Sequence, residues 1–597
     1  MRRHMWWGSA AALALVAAIA APVPAAAATA ARVPSRAPAP VSLDQLFDNR
    51  AVSDDDRPGD ADFDGSGASL SAGDLAAAGW TPGRSLTVEG ARLTWPRRTA
   101  GEPDNVRADG QSVRLRGRGD ALAFLVAGTG GAPAGGAGTV RYRDGSRGTY
   151  RLTAPDWRLG SLATKAVALP HVNTPDGQLA ERAKLYVVTV PLIRGREVES
   201  VALPRDAGPD LHVFALSVRT ATTGWTGTWS ASTATYATVG PWTDRTLRLV
   251  AHTSVGGPRV RIHFDNTFAS APVRIGSATV AVRGTGAGAR SAPVRLTFGG
   301  GRGTEVPAGA QAFSDPLAFR VEPDSDLLVS FHLPGTVTAA PLHREAVQAS
   351  YVSGPGDHTA DAGGDAYPST ITTWPLLAGI DVSGGPGSVV LLGDSITDGA
   401  RSTQGANRRW PNVLATRLLN QRDVPRYGVL NQGISANRVV ADRYPGDGVS
   451  TDSGGVSALH RLDRDVFAQP SARTVIVFQG VNDVRWGTSA DDVIAGLREI
   501  AGRAHARGLR VLAATIAPCA GESLCTPDAD ARRTAINAYL RDNGGDFDAV
   551  LDFDRVLRDP AQPSRILPAY DSGDHLHPGD AGLAALADSV DLRQLRP

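Results

Sequence analysis

Between residues 42 and 219 apolar and polar positions alternate in short runs, among them SVRLRG, GTVRYRDGS, LYVVTVPL, VESVALP and LHVFALSV, each broken by Gly, Pro or Asp. A period of two sends successive side chains to opposite faces, so these runs are predicted strands, and turns at this spacing predict an antiparallel β-sandwich. A second β-rich stretch, 222–384, contains TLRLVAHTSVG, RVRIHFDN, PVRIGSATVAVRG and DLLVSFHLPG. No helix-length amphipathic segment interrupts it and no repeat links it to the first, so it is predicted to be a separate sandwich.

The pattern changes after residue 384. Apolar runs VVLLG, VLNQG, TVIVFQG, RVLAATIAP and AVLDF alternate with stretches of helical period. In one, Trp410, Val413, Leu414 and Leu418 share a face; in another, Val493, Leu497, Ile500 and Ala504 do. Strand and helix in alternation predict a parallel sheet covered on both faces, an α/β/α layer over 385–597. Such sheets gather ligands at the carboxyl ends of their strands.

Ahead of the first sandwich, two arginines precede an apolar stretch from Ala10 to Ala21, and Ala-x-Ala sites follow between Ala25 and Ala30. That stretch is short for a membrane span, and 1–30 is read as a secretory signal, with 31–41 a Pro-rich tether. The expectation is a secreted, extracellular protein with no stable membrane insertion. The only cysteines, Cys519 and Cys525, are then expected to form a disulfide.

Charge excludes one partner class. Lys and Arg total 61 against 60 Asp and Glu, which leaves no basic field for nucleic acid. Within that balance the acidic run SDDDRPGDADFDG at 53–65 invites calcium. It lacks the ligand spacing of a known calcium loop, and a solvated loop is the preferred reading.

Four ends of the predicted parallel strands carry chemistry: GDSITDG with Ser395, NQGISANR with Gly433, QGVNDVR with Gly480 and Asn482, and DSGDHLHPG with Asp574, His575 and His577. Together, and in this order, these blocks resemble the SGNH/GDSL hydrolase family, named for its Ser, Gly, Asn and His. The region from GTWSAS at 227 onward looks like the β-domain that accompanies many secreted bacterial members. The resemblance implies a flavodoxin-like hydrolase domain. It also implies the base at the His of DxxHP, His577, with Asp574 as its acid; His575 is a decoy, and Asp571 is the next acid in line. Asp394, Asp398 and Asp483 are read as structural hydrogen-bonding groups.

The chemistry is consistent with those residue types. A serine hydroxyl attacks only when a neighbouring base takes its proton, a neutral histidine does this near pH 7, and a carboxylate fixes the histidine tautomer. The oxyanion then needs donors already in place: the Ser395 N–H, the Gly433 N–H and the Asn482 amide are the expected three. Acyl transfer of this kind needs no metal or organic cofactor.

The expected activity is hydrolysis of O-acyl esters through an acyl-enzyme. The 42–219 segment looks similar to accessory sandwiches of carbohydrate-active enzymes, where exposed Trp or Tyr stack on sugars, and this favours acylated polysaccharide as substrate. A lipase or phospholipase, and a carbohydrate-binding protein with a silent hydrolase domain, are the alternatives.

Overall fold

The computed structural model describes residues 39–205, 208–220 and 223–597; the predicted signal at 1–30 lies outside the described residues. In the first sandwich a five-stranded sheet, Lys165–Leu169, Ala183–Pro191, Ala121–Gly128, Leu211–Arg219 and Val106–Arg107, faces a four-stranded one, Ser112–Arg118, Glu197–Arg205, Ala134–Tyr142 and Arg147–Ala154. Leu122, Phe124, Val126, Val140, Leu152 and Val201 fill the space between them. The strand ALAFLVAG does not alternate in polarity because both its faces are covered. Its other face, Ala123, Leu125 and Ala127, packs against Phe63, Trp80, Trp95 and Trp157.

Every Trp and Tyr of this sandwich, namely Trp80, Trp95, Trp157, Tyr142, Tyr150 and Tyr186, is buried. The expected aromatic platform for sugar rings is therefore not on its surface. The aromatic rings serve the core, where a large apolar area removed from water contributes most. The carboxylates of the 53–65 run are turn formers. Asp62 accepts the N–H groups of Gly65 and Gly67, and Asp64 accepts that of Ser66. Among the described residues no group of His, Cys, Asp and Glu is arranged to hold a metal ion, and no helix is long and apolar enough to cross a membrane.

The second sandwich is built on two long antiparallel strands, Thr235–His252 and Asp326–His343, flanked by Ser277–Val282 and Ser350–Pro355. Its other sheet contains Trp225–Ser230, Leu377–Ser383, Val260–Asp265 and Gln311–Phe313, and continues into a hairpin, Ser85–Val88 and Ala91–Thr94, that comes from the first stretch of sequence. Trp80 Nε1 also donates to the Ala308 carbonyl at 2.9 Å. The two sandwiches thus share a sheet as well as a boundary.

The last region is a five-stranded parallel sheet: β1 Ser388–Gly393, β2 Gly428–Gly433, β3 Ala472–Phe478, β4 Arg510–Ala514 and β5 Ala549–Leu551, in the order β2-β1-β3-β4-β5. Val390 and Leu392 point to helices Ala490–His505 and Pro527–Asp542 on one face. Val389 and Leu391 point to Trp410–Leu419 and Asp580–Ser589 on the other. Burial on both sides explains the unbroken apolar run of β1. The edge strand β2 is covered by the second sandwich, an edge protection open sheets commonly use. Gly227 N–H donates to Ser388 Oγ at 3.1 Å, Val429 N–H to Ser254 Oγ at 3.0 Å, and Gln432 Nε2 to Ser230 Oγ at 2.9 Å.

Candidate active site

At the end of β1 the chain turns directly into a one-turn helix, Ser395–Asp398. The carboxylate of Asp394 caps it by accepting the Ile396 N–H at 3.1 Å, and Gly399, at φ 103°, closes it in a left-handed conformation that suits glycine. Burial pushes the Asp394 carboxyl up to about 7. Ser395 opens this helix. Its Oγ lies 2.8 Å from His577 Nε2, and His577 Nδ1 lies 2.8 Å from Asp574 Oδ2.

One loop, Asp571 to Pro578, presents both His577 and Asp574. The other oxygen of Asp574 accepts the backbone N–H groups of Leu576, at 3.0 Å, and His577, at 2.8 Å, and Arg401 Nε donates to Oδ2 at 2.9 Å. Burial alone would raise the Asp574 carboxyl. The backbone N–H and ring of His577 outweigh it, and the group is held well below the usual carboxylate range. It is ionised at neutral pH and accepts the Nδ1 proton, which leaves Nε2 free to receive one from Ser395. His575 faces elsewhere: its Nδ1 pairs with Asp571 at 2.6 Å.

Asn482 follows Gly480, whose φ of 126° starts the helix Val481–Arg485 at the end of β3. The Asn482 amide is fixed at both ends. Its Oδ1 accepts from Arg485 Nη1 at 3.0 Å, and its Nδ2 donates one hydrogen to the Asn437 carbonyl at 3.0 Å, leaving the second for the cleft. Arg485 is braced in turn by Glu522 at 2.9 Å. Glu522 sits in the loop between Cys519 and Cys525, which are bonded to each other at an S–S distance of 2.06 Å.

Gly433 is not where the sequence reading places it. Its N–H donates to Asn431 Oδ1 at 2.9 Å, and it does not line the cleft that holds Ser395 and Asn482. It is glycine for a packing reason: a Cβ there would meet the Asp398 backbone nitrogen at 2.2 Å, because the one-turn helix lies directly on the end of β2. Ala436, three residues on, lines the cleft instead, in a left-handed conformation at φ 64°. Neither its N–H nor that of Ser395 has an acceptor among the described residues. No sequence signal marks Ala436, since alanine is an unusual occupant of that conformation.

Opposite outcomes follow for two small substitutions. Gly433→Ala forces the helix of Ser395 off β2 and should cost several kcal/mol, about 3 by analogy with overpacking elsewhere. Ala436→Gly keeps the N–H, relieves the left-handed strain and should leave activity within about threefold. Thermal unfolding and ester turnover of the two variants check both. A folded Ala436→Gly protein with lost turnover would mean that more than the Ala436 backbone N–H matters at this position.

The cleft over these groups measures about 630 Å³. Glu345, Val347 and Thr372 of the second sandwich line it, beside Arg401, Gln404, Arg485, Trp486 and Leu576. Comparison with known sequences matches residues 391–585 to the GDSL-like lipase/acylhydrolase family and residues 37–222 to an AziU2-like β-sandwich domain. No curated protein matches the chain.

Similar solved structures include a member of the lipolytic protein G-D-S-L family from Veillonella parvula, at 18% identity over 34% of this chain and 94% of that one, TM-score 0.25. TesA is similar at 20% identity over 35% and 98%, TM-score 0.27. Axe2, an acetylxylan esterase from Geobacillus stearothermophilus, is similar at 20% identity over 36% and 95%, TM-score 0.26.

Proposed function

We propose that this chain, a serine ester hydrolase whose residues 391–585 form a GDSL-like lipase/acylhydrolase domain, is exported and removes short acyl groups from O-acylated carbohydrate. The observation that carries the reading is the hydrogen-bonded series Ser395–His577–Asp574 opening on a cleft whose walls mix charged and apolar side chains. The apolar segment at 10–21 and the disulfide support export.

In this reading His577 takes the Ser395 proton as Oγ attacks the ester carbonyl, and Asp574 stabilises the imidazolium. The oxyanion is met by the N–H groups of Ser395 and Ala436 and the free amide hydrogen of Asn482. Each such donor is worth on the order of 3 kcal/mol in the transition state. The alcohol leaves with the proton from His577, and water repeats the sequence in reverse roles to release the acid.

The walls support this substrate class. Glu345, Thr372, Arg401, Gln404 and Arg485 offer hydrogen-bonding partners for hydroxyl groups, and Trp486 an apolar ring. A long acyl chain would also have to pass the charged groups of Glu345, Arg401 and Arg485 and strip them of water, which is unfavourable. Turnover of p-nitrophenyl esters should therefore be greatest for acetate and fall about 10²-fold by palmitate, with acetate released from acetylated xylan or pectin. Faster hydrolysis of palmitate or phospholipid restores the lipid reading. A folded protein whose Ser395 no fluorophosphonate labels is a binding protein with a silent hydrolase domain.

A further inference from the structure

The long strand Asp326–His343 of the second sandwich ends with a buried histidine at the edge of the hydrolase domain. His343 Nδ1 lies 2.9 Å from the Ser232 carbonyl oxygen, and Nε2 lies 2.9 Å from Asp398 Oδ1. A carbonyl oxygen and a carboxylate only accept, so both ring nitrogens must donate. A neutral imidazole carries one N–H; two donations require the imidazolium, paired with the Asp398 carboxylate. The surroundings agree. Burial disfavours the charged ring and nearby Arg409 opposes it, yet Asp398 outweighs both and raises its pKa. Arg409 itself donates to the Ala346 carbonyl. Behind Ser232, Asp465 accepts the serine hydroxyl and is paired with Arg461 and Arg464. The Trp374 ring covers His343 at 5.4 Å.

Asp398 has two further duties. It is the last residue of the helix that Ser395 begins, and its Oδ2 accepts both the N–H, at 3.0 Å, and the Oγ, at 3.1 Å, of Ser435. Ser435 immediately precedes Ala436. One carboxylate therefore ties the nucleophile's helix to the loop that supplies an oxyanion donor, and the partner on its other oxygen comes from a different domain.

We propose that His343 is a positioning residue of the esterase: through its two ring N–H donors the second sandwich holds Asp398, and Asp398 keeps Ser395 and the Ala436 N–H aimed at the same substrate oxygen. This rests on Ser395 being the nucleophile. The second sandwich is then part of the catalytic unit.

The test uses the full-length protein and three variants. His343→Gln keeps an amide donor near the Nε2 position toward Asp398, His343→Asn keeps one near Nδ1 toward Ser232, and His343→Ala keeps neither. Each is compared for kcat and KM on p-nitrophenyl acetate and for the rate of fluorophosphonate labelling, at a temperature below its unfolding transition. His343→Asn and His343→Ala should lose about 10²-fold in kcat, the scale of an ångström-sized misplacement, with KM unchanged. His343→Gln should stay within about tenfold of the parent.

The wild type supplies a readout that needs no variant to fold. A raised histidine pKa makes the double donation present at low pH and reduced to one as pH rises through it, so kcat should fall reversibly on the alkaline side by no more than the loss in His343→Gln, where that limb should be absent. Wild-type kcat in folded His343→Ala, equal kcat losses in all three variants, or an alkaline limb that persists unchanged in His343→Gln overturns the proposal. Failure of the nucleophile assignment looks different: Ser395→Ala would stay active and the wild type would not label.

Discussion

Ser395→Ala should lower ester turnover by on the order of 10⁵- to 10⁶-fold while the protein stays folded. Among the described residues Ser395 Oγ makes one side-chain hydrogen bond, to His577, and its removal leaves β1 and the helix cap at Asp394 untouched. If nucleophile and base act as a unit, His577→Ala should cost about as much, and the loss should not be doubled in the pair of mutations. His575→Ala should retain most activity, because its ring is bonded to Asp571 and does not reach Ser395. Hydrolysis of p-nitrophenyl acetate by variants with matching circular dichroism decides the matter. Near-normal turnover by Ser395→Ala, or a larger loss at His575 than at His577, would sink the assignment.

Deleting residues 42–219 should not release an active hydrolase; the truncated chain should fail to fold. Resemblance to an accessory domain suggests a removable tether, but the contacts are those of a brace. Thr189 in the first sandwich meets Asp463, and Arg507 of the α/β region donates both to Thr189, at 2.9 Å, and to Asp463, at 2.9 Å. Arg503 adds a 2.7 Å bond to Asp463, and with Arg507 it holds that carboxylate low against the effect of burial.

A second cluster joins Ala163 of the first sandwich, Phe268 of the second and Tyr444 and Val456 of the hydrolase region, with the Phe268 and Tyr444 rings 4.7 Å apart. Truncation also removes the hairpin that extends the second sandwich and the Trp80 contact with Ala308. Each large apolar side chain exposed costs about 2 kcal/mol, against a total stability of about 5–15 kcal/mol. Soluble yield, thermal unfolding and p-nitrophenyl acetate turnover of the truncated protein check this. A monomeric fragment with wild-type kcat would make the sandwich dispensable.

Much of the hydrolase region was legible because its signals are local. In β1 the run VVLLG announces a strand buried on both faces, and in the helices Leu414, Leu418, Val493 and Leu497 recur at the helical period, since each element must bury a face somewhere. The Ser, Asn and DxxH blocks stand out in the sequence because they lie next to turns that local residues dictate, such as Gly399 and Gly480. Gly433 stands outside the cleft for the converse reason. Gly433 carries the residue type expected of a close approach, but what approaches it is the Asp398 backbone; Ala436 reaches the left-handed region through its surroundings.

The order of strands and helices, the two-sided burial of the parallel sheet, the meeting of Asp574 with His577 three residues later and the proximity of the two cysteines were determined by the sequence itself. Each depends on period, turn chemistry or short chain separation. Only the tertiary structure decided which N–H groups were left without acceptors, that every Trp and Tyr of the first sandwich turns inward, and that His343 reaches Asp398 across a domain boundary. Those outcomes depend on which surfaces pack against one another. A histidine at the end of a strand reads the same in sequence whether it meets water or a buried carboxylate; the packed interface supplies the difference.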